Sequence, residues 1–249
     1  MVEELHGHRF IEFLIKYAMI IQKTATLRII GLLFYCIGGC FMQNENKLLS
    51  TPNLIKIAFL SAIAALLMQW GIKLPAIFPS FLEIDFSEMP ALIAILTVHP
   101  LAGIVVVILK NVLKGLLFGS SSGYVGELAN LLISIGYILP LTIMVRKSKD
   151  MKTITKGIIA GIIGLTLMGA VVNYFITIPL YARIFMPMET IIEMGHAIVP
   201  AIKDKFTLIL LSITPFNLIK GTIVAVVSIV FLKAIQPALK YLMPKKKAM

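Results

Sequence analysis

Several polar side chains lie inside long apolar stretches of the chain, at spacings that put them on shared helix faces. Asn217 and Lys220 are three residues apart, and so are Glu127 and Asn130, so each pair lies on one face of a helix. An amide both donates and accepts hydrogen bonds, and an ammonium group donates them. Asn217 with Lys220 therefore suits a neutral heteroaromatic ring with carbonyls and ring nitrogens, better than it suits a metal or a permeating ion.

The other polar residues of these apolar stretches are few. They are Lys110, Asn111, Lys114 and Asn173. Polar groups are costly in hydrocarbon, so they usually face the interior of a helix bundle. Two interpretations stay open for them. They form interhelical hydrogen bonds together with one buried ion pair between Glu127 and a lysine, or they line a binding site.

The sequence carries no familiar motif of catalysis. It contains no G-x-x-x-x-G-K-[ST] phosphate-binding loop, no H-E-x-x-H and no G-x-S-x-G. His99 and His196 are isolated, and no acid–base pair or metal-binding cluster stands out in the sequence. We therefore expect that this chain is not an enzyme and that it carries no metal or cofactor.

Membrane-spanning helices must position the polar residues. Of the 249 residues, 59% are apolar and 14% are charged, whereas a soluble domain has about 45–50% apolar and about 25% charged residues. The net charge of +11 comes from basic residues that cluster in a few loops and in the C-terminal tail. That pattern is a topology signal rather than a nucleic-acid-binding face. The composition predicts an all-α integral protein of the lipid bilayer.

Six spans are predicted, at residues 54–70, 89–98, 101–118, 125–145, 154–181 and 206–235. The second rises only about 15 Å, so it must extend or be buried in protein. Strands are not expected, because no alternating segments typical of a membrane barrel appear. We expect a protein of the cell membrane. Basic residues near the helix ends predict that both ends of its six-helix domain lie in the cytoplasm. They are Lys47, Lys56, Arg146, Lys147, Lys149, Lys152, Lys156, Lys240, Lys245, Lys246 and Lys247.

The first outer loop, residues 71–88, is too apolar for an ordinary exposed loop. It holds Phe78, Phe81 and Leu82, and its prolines stiffen it. The loop either packs on its own bundle or folds inward as a lid over an apolar ligand.

Small residues four apart on the first span, Ala58 and Ala62, permit a close approach between helices. They serve either internal packing or docking to a partner membrane protein.

A further apolar run at residues 29–42 is short for a span. It is an interfacial segment, a seventh span or a signal peptide without a clear cleavage site, or it precedes a translation start at Met42. On the last interpretation, codons for Gly38 and Gly39 supply a purine-rich ribosome-binding sequence. Residues 1–41 are then an N-terminal extension of doubtful status, and residues 42–249 form the single six-helix domain.

Several short strings resemble the riboflavin-binding S-components of energy-coupling factor (ECF) transporters. They are PSFLEIDFSEMPAL at residues 79–92, PLAG at 100–103, KN at 110–111, GELAN at 126–130, NYF at 173–175 with PLY at 179–181, and PFNLIK at 215–220. The resemblance covers residues 50–235 and is specific in order and spacing. It implies six helices around a ligand cavity near the outer face, with a long, partly buried first outer loop. It also implies capture of riboflavin and assembly with a transmembrane coupling protein and two ABC-type ATPases that power uptake.

The same resemblance implies roles for individual residues. Asn173, Asn217 and Lys220 match residues that bind the flavin, while Phe81 and Leu82 match the loop that closes over its ring. Glu127 and Asn130 belong to a string that either touches the ligand or holds helices together. Ala58 and Ala62 match the small-residue motif that faces the coupling protein. Two alternatives stay open: an S-component for a different vitamin, or a proton-coupled carrier that uses Glu127 with Lys110 or Lys114.

Overall fold

The computed structural model describes residues 48–120, 122–148 and 150–242, which all lie in the unit Asn46–Met249. The apolar run at residues 29–42 and the expected start at Met42 lie outside the described residues. The helices are α1 (Thr51–Gln69), α2 (Glu88–Thr97), α3 (Ala102–Phe118), α4 (Val125–Val145), α5 (Met151–Val172), α6 (Ile178–Ile184), α7 (Met188–His196), α8 (Lys205–Leu208) and α9 (Thr214–Leu242).

Among the described residues, four helical stretches are long and apolar enough to cross a membrane: Thr51–Gln69, Val125–Val145, Met151–Ile184 and Lys205–Phe231. They correspond to the predicted first, fourth, fifth and sixth spans. Helices α2 and α3, at the second and third predicted spans, have 10 and 17 residues. The chain is therefore a mostly helical membrane protein.

Two π-helical segments, Asn173–Thr177 and Ile209–Ile213, interrupt the long helical stretches. Each one closely precedes a proline, Pro179 or Pro215. A proline has no N–H to donate and its ring clashes with the carbonyl four residues earlier. Those carbonyls lie within the two segments, so the wider turn accommodates them. The segments contact each other, and Asn173 and Asn217 lie in or next to them.

Helices α4 and α5 pack closely because glycines line their contact. A Cβ atom on Gly164 would collide with the carbonyl oxygen of Gly136, and one on Gly161 would collide with the carbonyl oxygen of Tyr137. Small residues let backbones approach where lipid supplies no hydrophobic drive between helices. The N-cap Asp150 starts α5 by accepting a hydrogen bond from the Thr153 N–H at 3.1 Å.

A short antiparallel hairpin frames the first loop, although strands were not expected. Strands β1 (Ile72–Lys73) and β2 (Glu83–Ile84) pair in the register Ile72↔Ile84 and Lys73↔Glu83. The expectation of no strands was wrong here because it considered only membrane-spanning strands. The helix of the last predicted span continues beyond residue 235, since α9 runs through Pro237 to Leu242.

Candidate functional site

A cavity of about 300 Å³ lies between the first loop, α4, the π-helical segment Asn173–Thr177, α6, α7 and α9. Its volume is at the lower end of the usual range for small-molecule sites, about 300–1,000 Å³. The predicted binding residues all line this cavity: Phe81, Leu82, Glu127, Asn130, Asn173, Asn217 and Lys220. The fold therefore brings together residues that are separated by almost 140 positions in the chain.

The first loop lines this cavity and packs on its own bundle, and its role as a lid over a ligand stays a prediction. Phe78 and Leu82 are buried in an apolar cluster with Ile178, Ile191 and Phe216. The Phe78 and Phe216 rings meet edge to face, with their centroids 5.1 Å apart, which is a favourable aromatic geometry. One side of the cavity is consequently apolar.

An ion pair joins the first loop to α9 at the polar side of the cavity. The Lys220 ammonium donates to Asp85 Oδ2 at 2.7 Å, and the Ser87 N–H donates to Asp85 Oδ1 at 2.9 Å. Burial alone would raise the pKa of Asp85, a loop residue outside the spanning helices. The charges of Lys220 and Lys110, together with the hydrogen bonds from Lys220 and Ser87, outweigh burial and lower the pKa of Asp85 from 3.8 to about 2. Asp85 is therefore ionised at neutral pH.

A second buried pair holds the start of α2 to α3. Lys110 is fully buried and donates to Glu88 Oε1 at 3.1 Å and to Ser134 Oγ on α4 at 3.2 Å. Ser134 in turn has one hydroxyl hydrogen to donate, with Glu88 Oε1 at 2.7 Å and Asn130 Oδ1 at 3.2 Å as its two acceptors. Glu88 and Asn130 line the cavity, so this network fixes part of its wall from behind.

A third pair, Lys114 with Glu127, joins α3 to α4. Glu127 Oε2 also accepts from Ser120 Oγ at 2.7 Å and from Ser122 Oγ at 3.2 Å. The loop that carries these serines has positive φ at Gly119 (70°) and at the non-glycine Tyr124 (64°). A non-glycine residue in that region is uncommon. The expected ion pair of Glu127 with a lysine is confirmed, and Lys114 is the partner.

Two of the three amides that line the cavity, Asn173 and Asn217, are each anchored within their own helix. Asn173 Nδ2 donates to the Gly169 carbonyl at 2.7 Å, and Asn217 Nδ2 donates to the Ile213 carbonyl at 2.9 Å. Gly169 is also where α5 meets Asn217, because a Cβ atom there would lie 2.7 Å from Asn217 Cγ. Asn111 also donates to a carbonyl of its own helix, that of Val107. Unlike Asn173 and Asn217, it does not line the cavity.

Sequence reasoning missed Asp85 and Glu88 as members of the cavity wall. The signal was present, since both are acids in an otherwise apolar stretch next to a predicted span. Acids there need cationic partners when they are buried, and Lys110 and Lys220 supply them.

The small residues of α1 lie away from the cavity. Ala58 and Ala62 are exposed on α1, whereas Ser61 and Ala65 of the same helix are buried. Their exposure favours docking over internal packing within the described part of the chain, and the docking role stays a prediction.

The fold and the cavity define an integral protein of the cell membrane that can hold a small amphipathic molecule. The family model described as "ECF transporter, substrate-specific component" matches residues 52–232. The chain belongs to this family, whose members are substrate-binding components of transporters and not enzymes.

Named relatives agree with the family match. The chain is 34% identical to riboflavin transporter FmnP of Bacillus subtilis (strain 168), over 74% of this chain and 93% of that protein. It is also 34% identical to riboflavin transporter RibU of Staphylococcus aureus (strain TCH60), over 80% of this chain and 99% of that protein. A solved structure titled "Structure and mechanism of the S component of a bacterial ECF transporter" matches with a TM-score of 0.58 at 32% identity. That match covers 75% of this chain and 96% of the other.

Proposed function

We propose that this chain captures riboflavin and carries it into the cell as the substrate-binding subunit of an ECF-type, ATP-driven importer. The observation that carries the proposal is the cavity, which has an apolar wall on one side and amide and ammonium groups on the other. Riboflavin is a flat molecule with an apolar end and a polar edge, so it matches the two sides of the cavity. The names of the relatives that match along most of the chain support the choice of ligand.

The proposed contacts divide the ligand between the two sides. Phe81 and Leu82 cover the dimethylbenzene end of the ring system. Asn217 and Lys220 bind its carbonyl and nitrogen edge, and Asn173 binds the ribityl hydroxyls. An amide has two N–H groups and one oxygen, so the single bond that each cavity amide makes within its own helix leaves further groups for a ligand.

Glu127 and Asn130 form the second polar wall in this proposal, next to the ribityl chain. Both line the cavity, and Ser122 lies beside Glu127. A carboxylate and an amide oxygen are acceptors for hydroxyl groups. The bond of Glu127 to Lys114 and that of Asn130 to Ser134 fix the positions of both side chains for such a contact.

The charges of the cavity support an uncharged ligand. Each acid in the described lining is paired with one lysine: Glu83 with Lys73, Asp85 with Lys220, Glu88 with Lys110 and Glu127 with Lys114. Because each of these acids is paired with a lysine, the cavity wall has no excess charge that would attract an ion. This balance favours a neutral vitamin over a proton-coupled carrier that needs a titrating acid.

Six membrane spans, with both ends of the domain at residues 42–249 in the cytoplasm, complete the proposal. Helices α2 and α3 supply the second and third spans, and the pairing of Glu88 with Lys110 offsets part of the cost of burying a charge in the shorter one. The basic residues 146–156 then lie in the cytoplasm, and the first loop and the cavity lie near the outer face.

The proposed partners are a transmembrane coupling protein and two ABC-type ATPases, which would hydrolyse the ATP. Exposure of Ala58 and Ala62 on α1 supports docking there, since small exposed residues permit close approach of another helix.

The experiment is a titration of purified protein with riboflavin, thiamine and biotin, followed by riboflavin fluorescence and by competition. Saturable quenching by riboflavin, without competition from the other vitamins, is expected. Binding of another vitamin in place of riboflavin would support an S-component with a different substrate.

A further inference from the structure

A stripe of exposed side chains runs along α5 and changes from basic to apolar after its second residue. Lys152 and Lys156 are exposed at the start of the helix. Ile159, Ile163 and Leu167 continue the stripe and are 53%, 54% and 62% exposed. Residues three or four apart are neighbours on the surface of a helix, so these five side chains form one continuous surface, here called the α5 stripe.

The basic start of the α5 stripe lies at the opposite end of the bundle from the cavity. Helix α4 begins near the cavity, which Glu127 lines, and its 21 residues span about 32 Å. That length is close to the roughly 30 Å of a hydrocarbon core. The turn after α4 carries the exposed residues Arg146 and Lys147 and leads into α5. The four basic residues of this region therefore lie at the depth of lipid headgroups.

No carboxylate pairs with these four basic side chains within the described part of the chain, where all the ion pairs involve other lysines. The acid of the turn, Asp150, accepts hydrogen bonds from the Thr153 N–H at 3.1 Å and from the Thr153 hydroxyl at 2.7 Å. A lysine in the first turn of a helix is disfavoured by the helix dipole, and like charges four residues apart repel. An anion beside Lys152 and Lys156 would reverse both effects.

We propose that the α5 stripe binds one anionic lipid, whose phosphate pairs with Lys152 and Lys156 and whose acyl chain lies along Ile159, Ile163 and Leu167. The apolar part of the stripe rises about 12 Å, which fits within the roughly 15 Å of one hydrocarbon leaflet. Arg146 and Lys147 strengthen the attraction of the headgroup. The binding surface lies outside the cavity, so it is independent of the vitamin that the cavity holds.

The continuity of charged and apolar groups favours a lipid over other anionic partners. A free anion would use the lysines alone. An acidic protein in the aqueous phase would meet the lysines but not the apolar residues, which lie at the depth of the hydrocarbon. A lipid matches both parts of the α5 stripe. Basic residues near a membrane surface attract anionic lipids individually, so the loss of two of them should weaken binding about 10- to 30-fold.

The experiment titrates phosphatidylglycerol into the purified full-length chain in neutral detergent micelles and follows the melting temperature. Native mass spectrometry counts the lipids that each chain retains. Phosphatidylcholine, which has no net charge, is the lipid control, and inorganic phosphate at the same concentration is the free-anion control.

Three double variants locate the binding surface. Lys152→Gln with Lys156→Gln removes the basic start of the α5 stripe, whereas Lys152→Arg with Lys156→Arg keeps both charges. Lys56→Gln with Lys233→Gln is the matched control, because it removes the same charge from exposed lysines of α1 and α9.

In the wild type, phosphatidylglycerol is expected to raise the melting temperature saturably, with one lipid retained per chain, and neither phosphatidylcholine nor inorganic phosphate should do so. Lys152→Gln with Lys156→Gln should require about 10- to 30-fold more phosphatidylglycerol for half the effect. The arginine variant and the matched control should behave like the wild type.

Three results would overturn the inference. Equal responses of the wild type to the two lipids would show that charge is not recognised and would leave the α5 stripe to a protein partner. Saturation by inorganic phosphate would show a site for free anions. Equal weakening by the two glutamine variants would show a diffuse attraction without a defined surface. The first two comparisons use the wild type alone, so poor folding of a variant does not protect the proposal.

Discussion

Replacing Gly169 by alanine should weaken flavin binding without adding or removing any group that touches the ligand. A Cβ atom at position 169 would lie 2.7 Å from Asn217 Cγ, whereas ordinary contacts of this kind are 3.4–4 Å. The Asn217 side chain must therefore move by about 1 Å, a displacement that can cost on the order of 100-fold at a functional site.

The magnitude of the loss follows from the hydrogen bonds that we propose between Asn217 and the ligand. Losing one or two of them leaves buried polar groups of the ligand unpaired, at about 1–3 kcal/mol. That is about 5- to 150-fold in the dissociation constant, at 1.4 kcal/mol per tenfold. The helix itself does not suffer, because alanine is a better helix former than glycine by roughly 0.5–1 kcal/mol.

The assay is fluorescence quenching of riboflavin by purified wild type, Gly169→Ala, Asn217→Ala and their double variant. Gly221→Ala is the matched control on α9, since its Cβ atom would lie 3.4 Å from Ile162. The control should bind like wild type. Because both changes act through one amide, Gly169→Ala should add little to Asn217→Ala. Wild-type affinity in Gly169→Ala, or full additivity of the two changes, would refute the reasoning.

Three further outcomes follow from the same contacts. Ala58→Trp should leave riboflavin binding unchanged and abolish uptake in cells that carry the coupling module; preserved uptake rejects docking through α1. Lys110→Met should destabilise the protein by about 3–5 kcal/mol, because Glu88 is left buried and unpaired, and the added change Glu88→Gln should restore most of the loss in thermal unfolding; equal stability of both variants contradicts this. The pKa of Asp85 is lowered from 3.8 to about 2. Its contribution to the free energy of unfolding is therefore complete above its pKa in the unfolded protein, and it is lost as the pH falls through its pKa in the folded protein. The difference in melting temperature between wild type and Asp85→Asn should thus stay level from about pH 8 to about pH 5, and a fall of that difference within the range would show that Asp85 is not the ionised partner of Lys220.

The helical spans were predictable because long apolar runs have few other structures available in a membrane. The bounds of α4 were predicted to the residue, at Val125–Val145. The π-helical segments were not predicted, since hydropathy is insensitive to one extra residue per turn. Their cause, the prolines at 179 and 215, was visible in the sequence.

Candidate residues were predictable where a polar group had no solvent to face, as for Asn173, Asn217 and Lys220. Their partners were harder to predict. Periodicity reveals which residues share a helix face but not which loop folds onto that face. Asp85 and Glu88 reach Lys220 and Lys110 from 135 and 22 residues away, and only the tertiary fold brings them there.

The most direct test of the account is to purify the chain in detergent without added ligand and to record its absorbance and the fluorescence released on denaturation. The account predicts a yellow protein that releases about one flavin per chain, as expected for tight binding in the cavity. A colourless protein that also fails to quench added riboflavin would contradict it.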